Sequence, residues 1–138
     1  MTVPRNRAGT RCRAGLVLVG PDLRIEISDV DAVVVCSLAG DLHLDNEKHV
    51  EGALDRALDG APALLAVDLS GVGLFTPSGL NALLAARRRA SGYGVPLVVV
   101  APSRTVERVL RITDADLVLP VYPSLERAVR HQRRSAAG

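Results

Sequence analysis

The sequence predicts an α/β domain: a mixed sheet of about five strands with about four helices packed on it. Three observations carry this. An alternating stretch at residues 23–27 and a more buried, mostly apolar stretch at 32–39 are joined by Asp29-Val30-Asp31, which reads as a hairpin. Helix-period and strand-like segments then alternate to the end of the chain, the pattern of parallel strands joined by crossover helices. The 138 residues, 48% hydrophobic, fit one domain, since a chain of this length buries about two-thirds of its unfolded surface.

Residues 1–20, rich in Arg, Gly and Pro at their start, read as a flexible tail, 21–134 as the domain and 135–138 as a disordered end. Leu23, Ile25 and Ile27 alternate with Arg24 and Glu26, which gives a half-buried strand; 32–39 is a more buried one. Asp45 or Asn46 then caps a helix whose apolar face is Val50, Ala53, Leu54, Ala57 and Leu58, and Gly60 and Pro62 end it. Residues 64–69 make a short buried strand, followed by a loop carrying Gly71 and Gly73. Thr76 suits an N-cap, its oxygen accepting from the backbone one turn on. Pro77 suits the first helical position, where a missing N–H is no loss. Leu80, Leu83 and Leu84 give the next helix, 77–90, one apolar face, and Ser91-Gly92-Tyr93-Gly94 stops it. In the strand at 96–101, Val98, Val99 and Val100 are apolar toward both faces, as covered parallel strands are. Ser103 caps a helix that turns Val106, Val109, Leu110 and Ile112 inward and Arg104, Glu107, Arg108 and Arg111 outward. A last strand at 117–121 and a helix from 125 to about 133, capped by Ser124, complete the order.

Chemistry concentrates in the run from Asp68 to Arg89, where Thr76-Pro77-Ser78-Gly79-Leu80 sets two hydroxyls at a helix entrance. This run resembles the STAS domain of bacterial anti-sigma factor antagonists, which bind an anti-sigma factor kinase and so release a sigma factor. The family turn usually reads aspartate-serine-serine-glycine-leucine, its first serine being the phosphorylation switch. Without gaps, Thr76 stands at the aspartate and Pro77 at the switch serine, while Ser78, Gly79 and Leu80 match. The resemblance spans roughly residues 23–131. Ala39-Gly40-Asp41-Leu42 resembles a glycine-acid-leucine-aspartate turn, with His43 at the aspartate. The runs 101–110 and 120–126 are similar too, and Asp114 stands where the family often has glycine, a place for a left-handed residue.

The resemblance implies an interaction module that docks an anti-sigma factor of the serine kinase type; the short apolar runs read as those of a cytoplasmic protein, and the missing catalytic motifs speak against an enzyme. The partner-binding residues the resemblance implies are Asp41, His43, Phe75, Thr76, Pro77, Ser78, Gly79, Asn81 and Arg88. A phosphate at a helix entrance is favoured by unpaired N–H groups and the helix dipole, but in a partner's apolar groove its charge is repelled or costly to desolvate. Pro77 keeps the helix start and offers no hydroxyl, so modification is left to Ser78, the freer group, or Thr76. The chain is then locked in the unmodified form or switched at Ser78. An alternative is a small-ligand or nucleotide-sensing domain, or a scaffold subunit without a kinase partner, in which the same turn takes an anion. A homodimer is a third arrangement.

Other chemistry finds little support. The chain lacks a Gly-x-Ser-x-Gly elbow, a P-loop and a dinucleotide fingerprint, and the spacing of Asp41, His43, Asp45 and Ser78 does not require a hydrolytic triad. Cys12, Cys36 and the three histidines have no metal-type spacing, so no metal or cofactor is expected. No apolar run approaches the roughly 20 residues that span a bilayer. The N-terminal arginines before Leu16-Val17-Leu18-Val19 resemble a signal peptide only faintly, since the apolar part is short. A formal charge of +2 does not supply a broad nucleic-acid surface, and with Phe75, Tyr93 and Tyr122 as the only aromatics, stacking is scarce. Arg87-Arg88-Arg89 and Arg127, Arg130, Arg133 and Arg134 read as solvated helix faces, the first group also as a rim contact for an acidic partner. Phe75 fills the core under the helix start or anchors a partner, and burial is the commoner fate of so large an apolar group.

Overall fold

The computed structural model describes residues 12–13, 17–20 and 22–137. In order the elements are β1 (Cys12–Arg13), β2 (Val17–Gly20), β3 (Leu23–Val30), β4 (Val33–Leu42), α1 (Glu47–Ala57), β5 (Leu64–Phe75), α2 (Pro77–Gly92), β6 (Leu97–Val100), α3 (Arg104–Ile112), β7 (Val121–Tyr122) and α4 (Leu125–Ala137). Short 3₁₀ turns at Leu44–Asn46 and Ala115–Leu117 precede α1 and β7.

The predicted mixed sheet is present. β3 and β4 form the hairpin, β4 to β7 run parallel in sequence order, and β1 and β2 pair antiparallel with the free edge of β3. The hairpin turn is the two-residue loop Asp31-Ala32, both with positive φ (52° and 67°), the backbone that matches strand twist in a tight hairpin. It lies one residue beyond the turn expected at 29–31. Residues 12–13 and 17–20, expected within a flexible tail, are strands on β3, and the rest of 1–20 lies outside the described residues. At the other end α4 runs to Ala137, into the segment expected to be disordered, and Gly138 lies outside the described residues.

Crossovers between parallel strands are right-handed, so strands added in one direction send every connecting helix to the same face. The core shows this: Val50 and Leu54 of α1, Leu83 and Ala86 of α2, and Val106 and Leu110 of α3 join Ile25, Cys36, Val67 and Val99 in one cluster. The opposite face is left to α4, whose Ala128 covers Leu64, Ala66, Val98 and Val100. β6 is accordingly buried along its whole length, as its run of valines predicts.

Three expectations give way. β5 is twelve residues long, so Gly71 and Gly73 lie in a strand and not a loop. β4 follows it through register shifts between Ser37 and Ala39 and between Gly40 and Asp41. A Cβ on Gly71 would stand 2.9 Å from that of Ala39, so Gly71 serves close strand approach. Ile112 is exposed and not inward: six residues beyond Val106 it falls off the helix face that Val106 and Leu110 occupy. The last strand is only Val121–Tyr122, because α3 ends at Ile112, Asp114 turns left-handed (φ 58°), and the chain makes a 3₁₀ turn with Leu117 in solvent. The left-handed Asp114 and the Ser124 cap are as expected, the Ser124 hydroxyl accepting from the Arg127 N–H at 3.2 Å.

Candidate functional site

The carboxyl ends of β4 and β5 are locked together before either strand gives way to a helix. Leu42 pairs with Phe75, and the Leu42 carbonyl accepts both from the Thr76 N–H (3.1 Å) and from its hydroxyl (2.9 Å). The Thr76 side chain is therefore not the expected N-cap: its oxygen is a donor to the neighbouring strand, and Thr76 closes the first helical turn only through its carbonyl, which accepts from Leu80. Pro77 holds the first turn of α2 as expected and is exposed. Ser78 is half-buried, and no side-chain hydrogen bond holds its hydroxyl among the described residues.

Turn 40–45 is built around Gly40 and Asn46. Gly40 has φ 116°, and a Cβ there would meet the Asp22 carbonyl, which already accepts from the Asp41 N–H at 2.9 Å. The Asn46 side chain is buried and reaches back into the turn, donating to the Asp41 carbonyl at 2.7 Å and accepting from the His43 N–H at 3.1 Å. His43 completes a reciprocal capping box, its Nδ1 accepting from the Asp45 N–H at 3.2 Å, while Nε2 stands 3.6 Å from Asp22. Neither Asp45 nor Asn46 caps α1 with its side chain, because the intervening 3₁₀ turn moves the cap to His43. With its nitrogens directed at Asp45 and Asp22, His43 makes no hydrogen bond to Ser78 among the described residues, and the four groups weighed as a triad are not assembled as one.

The two segments meet as one lip. Phe75 and Gly79 lie beneath it, buried; Asp41, His43, Thr76 and Ser78 are half-buried in it; Pro77, Asn81 and Arg88 are exposed. Spaced four and eleven residues apart, the last three fall within about 40° of one line along α2. Gly79 lets the helix start this close: a Cβ would stand 2.8 Å from that of Leu42 and 3.2 Å from the Phe75 ring. Within the arginine run, Arg89 is spoken for by an ion pair with Asp55 of α1, and Arg88 is the exposed member.

Sequence reasoning missed Leu44 and Leu74, 71% and 46% exposed. Leu74 sits opposite Asp41, and Leu44 lies two residues past the paired Leu42, so both flank the turn. Exposed leucines in this position carry no sequence signal until β5 is known to extend to Phe75. Among the described residues no group of His, Cys, Asp or Glu is arranged to hold a metal, and no helix is long and apolar enough to cross a membrane.

No curated protein matches the chain. Among solved structures, an anti-sigma factor antagonist from Mycobacterium paratuberculosis is similar at 28% identity and TM-score 0.74, over 84% of this chain and 99% of that one. The anti-sigma factor antagonist SpoIIAA in its unphosphorylated form matches at 19% identity and TM-score 0.67, over 79% and 96%. A sulfate transporter family protein from Wolinella succinogenes matches at 15% and 0.66, over 78% and 89%. The last two likenesses speak for the fold alone. Residues 25–120 match the family model described as "Mlab, STAS domain", and the chain belongs to the STAS family.

Proposed function

We propose that this chain is an interaction module of a partner-switching pathway that docks an anti-sigma factor of the serine kinase type and has no catalysis of its own. The observation that carries this is the lip: an exposed helix entrance seated on a rigid pair of strand ends, with Pro77, Asn81 and Arg88 in line and Leu44 and Leu74 beside Asp41. Apolar anchors within a polar rim are the usual makeup of a protein interface. The 28% identical antagonist supports the choice of partner. Phe75 and Gly79 contribute from below, by setting the height of the helix start.

Pro77 offers no hydroxyl where the family resemblance puts the switch, and the Thr76 hydroxyl is engaged with Leu42, which leaves Ser78 as the one hydroxyl of the turn open to modification. In this reading the chain works in the cytoplasm and stays in its unmodified, docking form unless Ser78 takes a phosphate. Calorimetric titration against purified kinase-type anti-sigma factors of the same genome tests docking: saturable binding lost on Asn81→Arg supports it, and no binding to any of them overturns it. Mass spectrometry after incubation with the bound kinase and ATP tests the lock, which phosphate on Ser78 would refute.

A further inference from the structure

Away from the lip, β7 and α4 enclose an open cavity of about 560 Å³, lined by Tyr122, Pro123, Arg127, Arg130, His131 and Arg134. We infer that this cavity binds a small molecule bearing two or three linked phosphates.

Charge segregation is the first support. α4 carries four of the chain's seventeen basic residues and one of its fifteen acidic ones, which leaves thirteen against fourteen elsewhere. The net positive charge of the protein is thus that of one helix. Spacing is the second: residues 127, 130, 131 and 134 recur at three and four, so three guanidiniums and an imidazole share one stripe of α4, and that stripe faces the cavity. Guanidinium forks pair with phosphate oxygens two at a time, and several in one concavity match a chain of phosphates better than a single carboxylate.

The frame is rigid. Ala128 is buried against the sheet, the Ser124 hydroxyl fixes the first turn at Arg127, and Tyr122 is held by strand pairing and by the Ala101 N–H on its carbonyl at 2.9 Å. The His131 ring stands edge-on to Tyr122 with centroids 5.5 Å apart, making an aromatic wall beside the arginines. Glu126 is the one acidic residue of α4; it pairs with Arg130 at 2.9 Å in an exposed contact that a phosphate can displace, while Glu107 and Asp116 line a neighbouring cavity on the other side of Tyr122 and Pro123. A volume of this order suits a small molecule.

The experiment is calorimetric titration of the full chain at near-physiological salt, with inorganic triphosphate in one arm and ATP in the other. Saturable binding is expected in both. Equal affinity assigns recognition to the phosphate chain alone, and tighter ATP binding adds the Tyr122–His131 wall. The double variant Arg127→Gln/Arg134→Gln should weaken binding roughly tenfold or more. The charge-matched Arg104→Gln/Arg108→Gln on α3 should leave it unchanged. If the first double variant melts lower, Arg134→Gln alone carries the same comparison. Absence of saturable binding, equal loss in both double variants, or tighter binding of a DNA or RNA oligonucleotide through the same arginines would each overturn the inference.

Discussion

Replacing Asn46 by alanine should loosen turn 40–45 and reveal how much of the proposed docking surface one buried carboxamide maintains. Its Nδ2 donates to the Asp41 carbonyl at 2.7 Å and its Oδ1 accepts from the His43 N–H at 3.1 Å, in a side chain with no solvent exposure. Each such bond contributes about 1 kcal/mol net, and both partners are left in a tight turn, so the loss is about 2 kcal/mol. In urea, with a slope of about 2 kcal/mol/M, the midpoint should fall by roughly 1 M with the slope unchanged. Titration of the folded variant against the proposed anti-sigma factor partner then reads the second expected consequence, weaker binding, because Asp41 and His43 of the proposed docking surface are no longer held in place. A midpoint shift below about 0.3 M would mean that the strand pairing of Leu42 with Phe75 shapes the turn unaided, and the reasoning would fail.

Two glycines of α2 should respond in opposite directions. Gly79→Ala forces a Cβ to 2.8 Å from that of Leu42 and should destabilise by about 1–2 kcal/mol despite better helix propensity. Gly92→Ala meets nothing within 4 Å and should raise the melting temperature slightly, by up to about 1 kcal/mol of stability. Thr76→Val removes the hydroxyl donated to Leu42 and should cost about 1 kcal/mol in denaturant unfolding, whereas Thr76→Ser keeps it; equal losses would contradict the donor role. Burial pushes the Cys36 thiol up from 9.0 to about 12. Between these values the unfolded chain holds fewer protons here than the folded one, so stability present below pH 9 should decline as pH rises toward 12. In a Cys12→Ser background, thiol labelling should be slow in buffer and fast in concentrated urea.

The parts of this fold legible in the sequence are those ruled by period and by punctuation. The apolar face of α1 (Val50, Ala53, Leu54, Ala57, Leu58), the doubly buried valines of β6, Pro77 at the start of α2 and the left-handed Asp114 all follow from local rules, and all are present. What local rules misjudged depends on contacts across the sheet. Gly71 reads as a loop residue because its use, close approach to β4, exists only once the strands are paired with a shifted register, and Gly73 follows it into the same strand. Thr76 reads as a cap because the competing acceptor, the Leu42 carbonyl, is 34 residues away. Asn46 and His43 exchange roles with the expected cap for the same reason: a 3₁₀ turn decides them, and propensity does not announce it. Of the candidate site, the helix entrance was readable, and the leucines flanking it were not.

Strand order explains why the carboxyl edge of this sheet presents a lip and not a cleft. In open α/β sheets a ligand crevice opens where the strand order reverses and adjacent connections leave toward opposite faces. From β4 to β7 the order never reverses, and α1, α2 and α3 share one face, so no such parting occurs between parallel strands. The β4–β5 ends are instead joined without a gap, down to the Leu42 carbonyl that takes two donors from Thr76. A small molecule needs concavity to lose most of its surface, whereas another protein needs area, a fixed backbone and a few anchors. Exposed Leu44 and Leu74 meet the second requirement, and Arg88 at the far end of the same helix stripe adds a charge able to steer an acidic partner toward it.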